Sequence, residues 1–249
     1  MQKIRVENVE VDYALFGRRK RLAPDTDDSA RDVNARFRLG RDGRTKSFAA
    51  LQDISFSLEE GQRLGIMGAN GSGKSTLLQV IGGVLPPSRG RVILSGEPIG
   101  LYNLTHGVKL EATGHRNITL RGLAAGLTLD RIEEKRADIA EFSGLGAFLD
   151  MPVATYSAGM KMRLLFSIAT ALDPDILLLD EWIGAGDHEF RQKAKQRMSE
   201  FVERAGAIVL VSHRRSLLEA VCDLGLWLEH GRVKAIGAMK EVAARYGDA

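Results

Sequence analysis

Residues 68–76 show the clearest chemical pattern in this chain. They read Gly68, Ala69, Asn70, Gly71, Ser72, Gly73, Lys74, Ser75 and Thr76, which fits G-x-x-x-x-G-K-[ST]. Glycines in such a loop let backbone N–H groups point at a polyphosphate without obstruction by side chains. Lys74 supplies a positive charge for the terminal phosphates, and the Ser75 hydroxyl supplies an oxygen for Mg²⁺. The pattern predicts a phosphate-binding loop, the name used below for residues 68–76.

Three further residues follow apolar runs of the kind that form buried strands. Asp180 and Glu181 come directly after residues 176–179, and His213 comes shortly after residues 207–211. An α/β sheet places its catalytic groups at the C-terminal ends of its strands. We therefore expect Asp180 to hold Mg²⁺ and Glu181 to polarise an attacking water, while His213 reaches the γ-phosphate. This set predicts hydrolysis at the site as well as binding.

A second phosphate contact is predicted at the start of a helix. Tyr156, Ser157, Ala158, Gly159 and Met160 precede a helix-like run that ends near residue 172. Ser157 is suited to cap this helix, because its hydroxyl can accept a hydrogen bond from a first-turn N–H. The exposed N–H groups of the first turn could then receive a phosphate.

The elements around these motifs are typical of an α/β protein. An apolar strand precedes the phosphate-binding loop, a helix follows it, and the continuous apolar runs predict central parallel strands that are buried on both faces. Alternating patterns near residues 9–15 and 51–58 predict further strands. We predict a P-loop NTPase core with a mostly parallel central sheet, an N-terminal antiparallel β subdomain and an inserted helical subdomain. Approximate boundaries place one domain over 1–249, its core over 1–103 and 157–249, and the helical subdomain over 104–156.

Charge and composition limit the possible functions. The chain has 249 residues and a net charge of +3. Ten Lys or Arg and five Asp or Glu lie between residues 18 and 46, so this basic insert carries +5 and the remainder carries −2. A general nucleic-acid binder is therefore not expected. No apolar stretch approaches the length of roughly 18 residues that a membrane-spanning helix needs. The single cysteine, Cys222, excludes an internal disulfide and fits a buried position on a helix.

The basic insert has two interpretations. It could be a solvated loop, or it could contact anionic lipid head groups or the pyrophosphate of a lipid-linked glycan. Clustered lysine and arginine residues are attracted to an anionic membrane surface.

The order of these motifs along nearly the whole chain resembles the ATPase subunit of ATP-binding-cassette transporters. The resemblance implies that ATP and Mg²⁺ bind between two identical chains. The phosphate-binding loop of one chain would face the signature segment, residues 156–160, of the other. It also implies a loop contribution from Asp187 and stacking of adenine on Tyr13, although a core position for Tyr13 is the alternative.

Departures from the usual motifs indicate which group within this family the chain resembles. The usual signature is Leu-Ser-Gly-Gly-Gln, whereas residues 156–160 read Tyr-Ser-Ala-Gly-Met, and Gly-Ala-Gly-Asp stands at 184–187. Together with Thr-Gly-His-Arg-Asn-Ile at 113–118, these letters look like the exporters of polysaccharides such as O-antigen, capsule or teichoic acid. No glutamine occurs between Gln79 and Gln192, so residues 103–105 stand where the family has a metal-contacting glutamine.

The resemblance implies an ATPase that powers export of a lipid-linked polysaccharide through a separate transmembrane permease dimer. Such a subunit would lie peripherally on the cytoplasmic face of the inner membrane. Three alternatives stay open at this point: an ATPase for an exporter of another substrate, a soluble cassette protein outside transport, and a small-molecule kinase with the same phosphate-binding loop.

Overall fold

The computed structural model describes residues 1–15, 34–41, 44–101, 104, 107–180 and 188–247, without the side chains of residues 188 and 189. Contacts between residues divide the chain into two compact units. The first comprises residues 1–96, 179–181 and 207–249, and the second comprises residues 97–178 and 182–206.

Strands and helices alternate along much of the chain. The strands are β1 (Gln2–Ala14), β2 (Phe37–Leu39), β3 (Thr45–Glu59), β4 (Arg63–Met67), β5 (Arg89–Leu94), β6 (Pro98–Gly100), β7 (Ile176–Asp180), β8 (Ala207–Val211), β9 (Leu224–Glu229) and β10 (Arg232–Ala238). The α-helices are α1 (Lys74–Ile81), α2 (Gly114–Ala124), α3 (Leu129–Ser143), α4 (Ala158–Ala171), α5 (His188–Arg204), α6 (Arg215–Val221) and α7 (Met239–Gly247). Two short 3₁₀ helices cover Gly146–Asp150 and Val153–Thr155.

An antiparallel sheet forms one part of the first unit. Its strand order is β2-β3-β1-β5. The two long strands β1 and β3 pair with several register shifts, which place Tyr13 opposite Phe48. Burial alternates over residues 54–59 of β3 and over residues 9–12 of β1, as the period of two in these stretches predicts.

A mostly parallel sheet forms the other part of the first unit. Strand β4 pairs in parallel with β8 on one side and with β9 on the other, and β10 pairs with β9 in antiparallel orientation. All five residues of β8 are buried, which explains its continuous apolar sequence. The helices α6 and α7 pack on β4, where Gly65 lets the side chains of Leu218, Cys222 and Met239 approach the strand closely.

The second unit is mainly helical. Its core joins α2, α3, α4 and the 3₁₀ helices through a cluster of buried residues: Ile118, Ile132, Ile139, Leu145, Leu149, Val153, Tyr156, Leu164, Ile168 and Ala171. The rings of Phe142, Phe166 and Phe190 pack together and join α3, α4 and α5. Strand β6 pairs in parallel with β7 in the same unit.

The predicted fold class is confirmed: the molecule is α/β, with a mostly parallel sheet, an antiparallel sheet and a helical part. The end of the basic insert is ordered. Strand β2 and the start of β3 form a hairpin, in which Phe37 packs on Phe48 with ring centroids 5.1 Å apart. The cationic residues Arg18, Arg19, Lys20 and Arg21 lie outside the described residues. The domain boundaries stay a prediction.

Among the residues that the structure describes, no helix is long and apolar enough to cross a membrane.

Candidate nucleotide-binding site

The phosphate-binding loop connects β4 to α1, as the sequence predicts. A Cβ at Gly68 would lie 2.1 Å from the Leu228 carbonyl oxygen, so only glycine fits there. Gly73 precedes α1 in the left-handed region, with φ of 111°, and it provides no side-chain cap. The first-turn N–H groups of α1 are therefore not occupied by a capping side chain, as binding of an anion to a helix N-terminus requires.

Hydrogen bonds hold the backbone of this loop on two sides. The Lys74 side chain is buried, and its Nζ donates to the carbonyl oxygens of Gly68 and Ala69 at 2.8 and 2.9 Å. From the β9–β10 turn, the Gly231 N–H donates to the Ser72 carbonyl oxygen at 2.9 Å. These bonds fix the curvature of the loop and hold the ammonium group against it.

Asp180 lies beside the phosphate-binding loop, as the sequence predicts. The Ser75 hydroxyl donates to Asp180 Oδ2 at 2.7 Å, although the two residues are 105 positions apart. A hydroxyl and a carboxylate are the hard oxygen donors that Mg²⁺ prefers, so this pair fits the ion implied by the motif. Bound there with a nucleotide, Mg²⁺ would neutralise part of the phosphate charge.

A cavity of about 270 Å³ joins the predicted residues of the first unit. Its lining includes Tyr13, residues 70–76 in part, Asp180 and His213. Tyr13 is 40% exposed, and its hydroxyl lies 3.3 Å from Thr76 Oγ1. This exposure argues against a buried core role for Tyr13. Stacking on adenine stays a prediction.

Two residues of this cavity were missed by the sequence reasoning. Arg36 and Phe48 line it together with Tyr13 and Lys74. Arg36 belongs to the segment interpreted as a basic insert, and Phe48 begins the apolar stretch that leads into Leu51. The register of the β2–β3 hairpin, which no local pattern reveals, brings both to the loop.

The signature segment lies in the second unit and begins α4. The Ser157 hydroxyl accepts a hydrogen bond from the Met160 N–H at 3.2 Å, which confirms the predicted N-cap. Ala158 and Gly159 are exposed, whereas Tyr156 is buried. Its hydroxyl donates to the Phe148 carbonyl oxygen at 2.5 Å, and burial raises the pKa of this phenol, with Asp150 adding to the effect. Tyr156 therefore anchors the segment while its neighbours face outward.

The segment 113–118 packs against this same tyrosine. Thr113 caps α2 by accepting a hydrogen bond from the Arg116 N–H at 3.1 Å. A Cβ at Gly114 would lie 2.6 Å from the Tyr156 hydroxyl, so glycine allows the close approach. Asn117 is fully buried and bonds to the backbone at Lys109 and at nearby residues. The residues of both segments that depart from the usual motifs thus pack together around the start of α4.

The remaining predicted residues lie outside the described residues. These are Glu181 and Asp187, together with Asn103 and Thr105 at the position of the missing glutamine. The roles assigned to them stay predictions.

A glycine-rich loop between a strand and a helix, with an aspartate at the end of a second strand, defines a P-loop nucleotide-binding protein. A family model described as "ABC transporter" matches residues 51–184. The chain belongs to this family.

Two curated relatives of about 40% identity are ATP-binding proteins of export systems. The chain is similar to the teichoic acids export ATP-binding protein TagH of Listeria innocua, with 38% identity over 82% of this chain and 61% of that protein. It is also similar to the O-antigen export system ATP-binding protein RfbE of Yersinia enterocolitica, with 41% identity over 78% of this chain and 81% of that protein. The chain thus spans about three fifths of the first relative's length.

A solved structure shows the same fold. It is the dimeric structure of an ATP-binding cassette in a post-hydrolysis state, bound to ADP and Pi. The TM-score is 0.66 at 19% identity, and the match covers 95% of this chain and 98% of that chain.

Proposed function

We propose that the chain is the ATP-hydrolysing subunit of an exporter for a lipid-linked polysaccharide of the O-antigen, capsule or teichoic acid type. It acts as a homodimer on the cytoplasmic face of the inner membrane, and a separate transmembrane permease dimer carries the glycan. The observation that carries the proposal is the 2.7 Å bond from Ser75 to Asp180 beside the buried Lys74. Nucleotide, Mg²⁺ and hydrolysis chemistry need these groups at one place.

We assign the catalytic roles from the motifs and, for the described residues, from the cavity that they line. Lys74 and the N–H groups around it hold the terminal phosphates, and Tyr13 offers an aromatic face for adenine. Ser75 and Asp180 hold Mg²⁺, Glu181 orients the attacking water, and His213 contacts the γ-phosphate. In this proposal the positive groups face the phosphates, where they would lower the barrier by fixed electrostatics.

The export role is supported by the two relatives named above and by the signature segment. The exposed residues of that segment offer N–H groups to a nucleotide held by a second chain. The segment needs a partner chain in this arrangement, which favours a homodimer. Differential affinity of the open and closed dimer for ATP would supply the work for transport.

Phosphate release from ATP tests the enzymatic part. The purified chain is expected to hydrolyse ATP when Mg²⁺ is present, and Lys74→Ala is expected to lower kcat/KM by about 100-fold or more, since it removes charge stabilisation at the γ-phosphate. Lys234→Ala is the matched control, because Lys234 lies on β10 and is more than half exposed. Equal turnover by wild type and Lys74→Ala would contradict the assigned site.

A cellular assay tests the transport part. In cells whose only copy carries Lys74→Ala, a lipid-linked polysaccharide is expected to accumulate inside and to be lost from the surface. Normal surface polysaccharide in these cells, with ATPase activity abolished in vitro, would refute the export role and leave the enzymatic assignment intact.

A further inference from the structure

Arg36 is a buried cation with no acidic partner among the described residues. It is 5% exposed and lies just before β2. Its guanidinium donates three hydrogen bonds, all to backbone carbonyl oxygens: Nε to Ala49 at 3.0 Å, Nη2 to Ala50 at 3.1 Å, and Nη1 to Gly71 at 2.8 Å. The group also packs on the Phe48 ring, 4.4 Å from its centroid.

Among the residues that the structure describes, these contacts leave the charge of Arg36 incompletely compensated. Carbonyl dipoles and an aromatic face stabilise a cation in part, but burial of a charge without a counter-ion is costly. Burial lowers the pKa of this guanidinium from its ordinary value, yet arginine stays charged at neutral pH. An anion close to Arg36 would remove the cost.

The position of Arg36 indicates which anion this is. The side chain lines the same cavity as Lys74, Ser75 and Asp180, and it bonds to Gly71 inside the phosphate-binding loop. Through its bonds to Ala49 and Ala50, Arg36 also connects the loop to β3. The loop contacts β3 a second time at Gly73, where a Cβ would lie 2.9 Å from the Ala50 carbonyl oxygen. The loop thus contacts a buried cation that comes from outside the motif.

We propose that Arg36 is a positioning residue of the nucleotide site, which holds the Gly71 carbonyl and supplies a fixed positive charge that the nucleotide phosphates compensate. This inference rests on the proposed binding of ATP. It assigns a role to a residue from the β2–β3 hairpin, outside the motifs of the loop and of the strand ends. The expected signature is a loss of affinity that grows with the charge of the ligand.

Binding of adenosine, ADP and ATP to three variants tests the proposal. Arg36→Gln keeps an amide donor and removes the charge, whereas Arg36→Lys keeps the charge. Arg38→Gln is the matched control, because Arg38 lies two residues further along the hairpin and pairs with Glu10 and Asp12, partly exposed. Isothermal calorimetry gives the affinities, and thermal unfolding checks that each variant folds.

We expect Arg36→Gln to weaken ATP binding by about tenfold or more and adenosine binding by less than about threefold, which are the changes expected for a lost short-range charge interaction. Arg38→Gln should stay within about threefold of wild type for ATP. Arg36→Lys should lose less ATP affinity than Arg36→Gln, because it keeps the charge but not the forked hydrogen bonds. Equal losses for adenosine and ATP would show a purely structural role and overturn the proposal. If Arg36→Gln does not fold, equal losses of adenosine and ATP affinity in folded Arg36→Lys would overturn it instead.

The two proposals fail in different ways. If the wild-type chain does not bind ATP, the proposed function is wrong. If the wild type binds ATP and Arg36→Gln binds it equally well, only the role of Arg36 is wrong.

Discussion

At the scale of residues, the first unit buries two cations beside the phosphate-binding loop, and the two side chains reach the loop from different parts of the sequence. Lys74 belongs to the motif itself and satisfies its donors on loop carbonyls. Arg36 comes from a separate hairpin and reaches the same loop from outside. The polyphosphate of the proposed function would stabilise the buried charge of Arg36. Residues from two separate parts of the sequence thus bond to one loop.

Cys222 is a buried ionisable group that stays neutral, in contrast to the two buried cations. It packs against β4 at 6% exposure, and burial raises the pKa of its thiol to about 12, with Asp223 adding to the effect. The thiol lies against Gly65 of that strand, in the same contact as Leu218 and Met239. In these apolar surroundings it acts as a small apolar group.

The raised pKa of Cys222 predicts a pH dependence of stability. The neutral thiol is favoured in the folded state, so this contribution is complete below the ordinary thiol pKa and is lost as the pH rises from about 9 towards 12. Between pH 7 and pH 10, urea denaturation should show wild type losing about 1 kcal/mol more unfolding free energy than Cys222→Ala. Equal losses in the two proteins would show that the thiol ionises normally.

At the scale of elements, the start of α4 is held by contacts with α2 and the 3₁₀ helix. The Tyr156 hydroxyl is fixed on Phe148, and Gly114 leaves the space that this ring occupies. The Ser157 cap then sets the first turn of α4 and leaves Ala158 and Gly159 exposed. A tyrosine in place of the usual leucine thus adds a hydrogen bond to the packing of this segment.

Gly114→Ala is expected to destabilise the protein by about 1–3 kcal/mol, because the new Cβ would overlap the Tyr156 hydroxyl and Leu149. Gly159→Ala is the control, since its nearest contact is an ordinary 3.9 Å to Ser157 Oγ. Urea denaturation measures both. Adding Tyr156→Phe to Gly114→Ala should cost less than the sum of the single changes, because the clash with the hydroxyl is gone. Strict additivity would contradict this packing.

At the scale of the whole molecule, the chain carries one phosphate-binding loop and one signature segment, each complete in its own unit. In the proposed function, the loop groups of the first unit would bind and activate a nucleotide, and the exposed helix start of the second unit would receive a phosphate. The proposed homodimer uses both and contains two equivalent sites. ATP then acts as the link between two chains.

Glu181→Gln tests this arrangement. The variant is expected to slow hydrolysis by about 100-fold or more and to accumulate an ATP-bound dimer, because binding is retained while the water is no longer polarised. Size-exclusion chromatography with light scattering, with and without ATP, measures the dimer. The double variant Lys74→Ala/Glu181→Gln should stay monomeric. If Glu181→Gln stays monomeric at saturating ATP, or hydrolyses ATP at the wild-type rate, the shared site is wrong.

Local patterns predicted most of the motif-bearing elements. Strand β4, the loop, helix α1, strands β7 and β8 and the cap of α4 are short-range features, since hydrophobic period, glycine spacing and capping act within a few residues. The same patterns correctly placed Ser75 and Asp180 at one site, because parallel strands bring their C-terminal ends to one edge of a sheet.

The sequence by itself determined the phosphate-binding loop, Gly68–Thr76, and it predicts hydrolysis with groups at strand ends, because residue type and local spacing meet those demands. Only the tertiary structure decided which other residues share the site and why the unusual letters occur. Arg36 and Phe48 enter through the register of a hairpin, and Gly114 and Tyr156 are matched across two helices. Such contacts join residues far apart in sequence, and their distances depend on packing that no local pattern encodes.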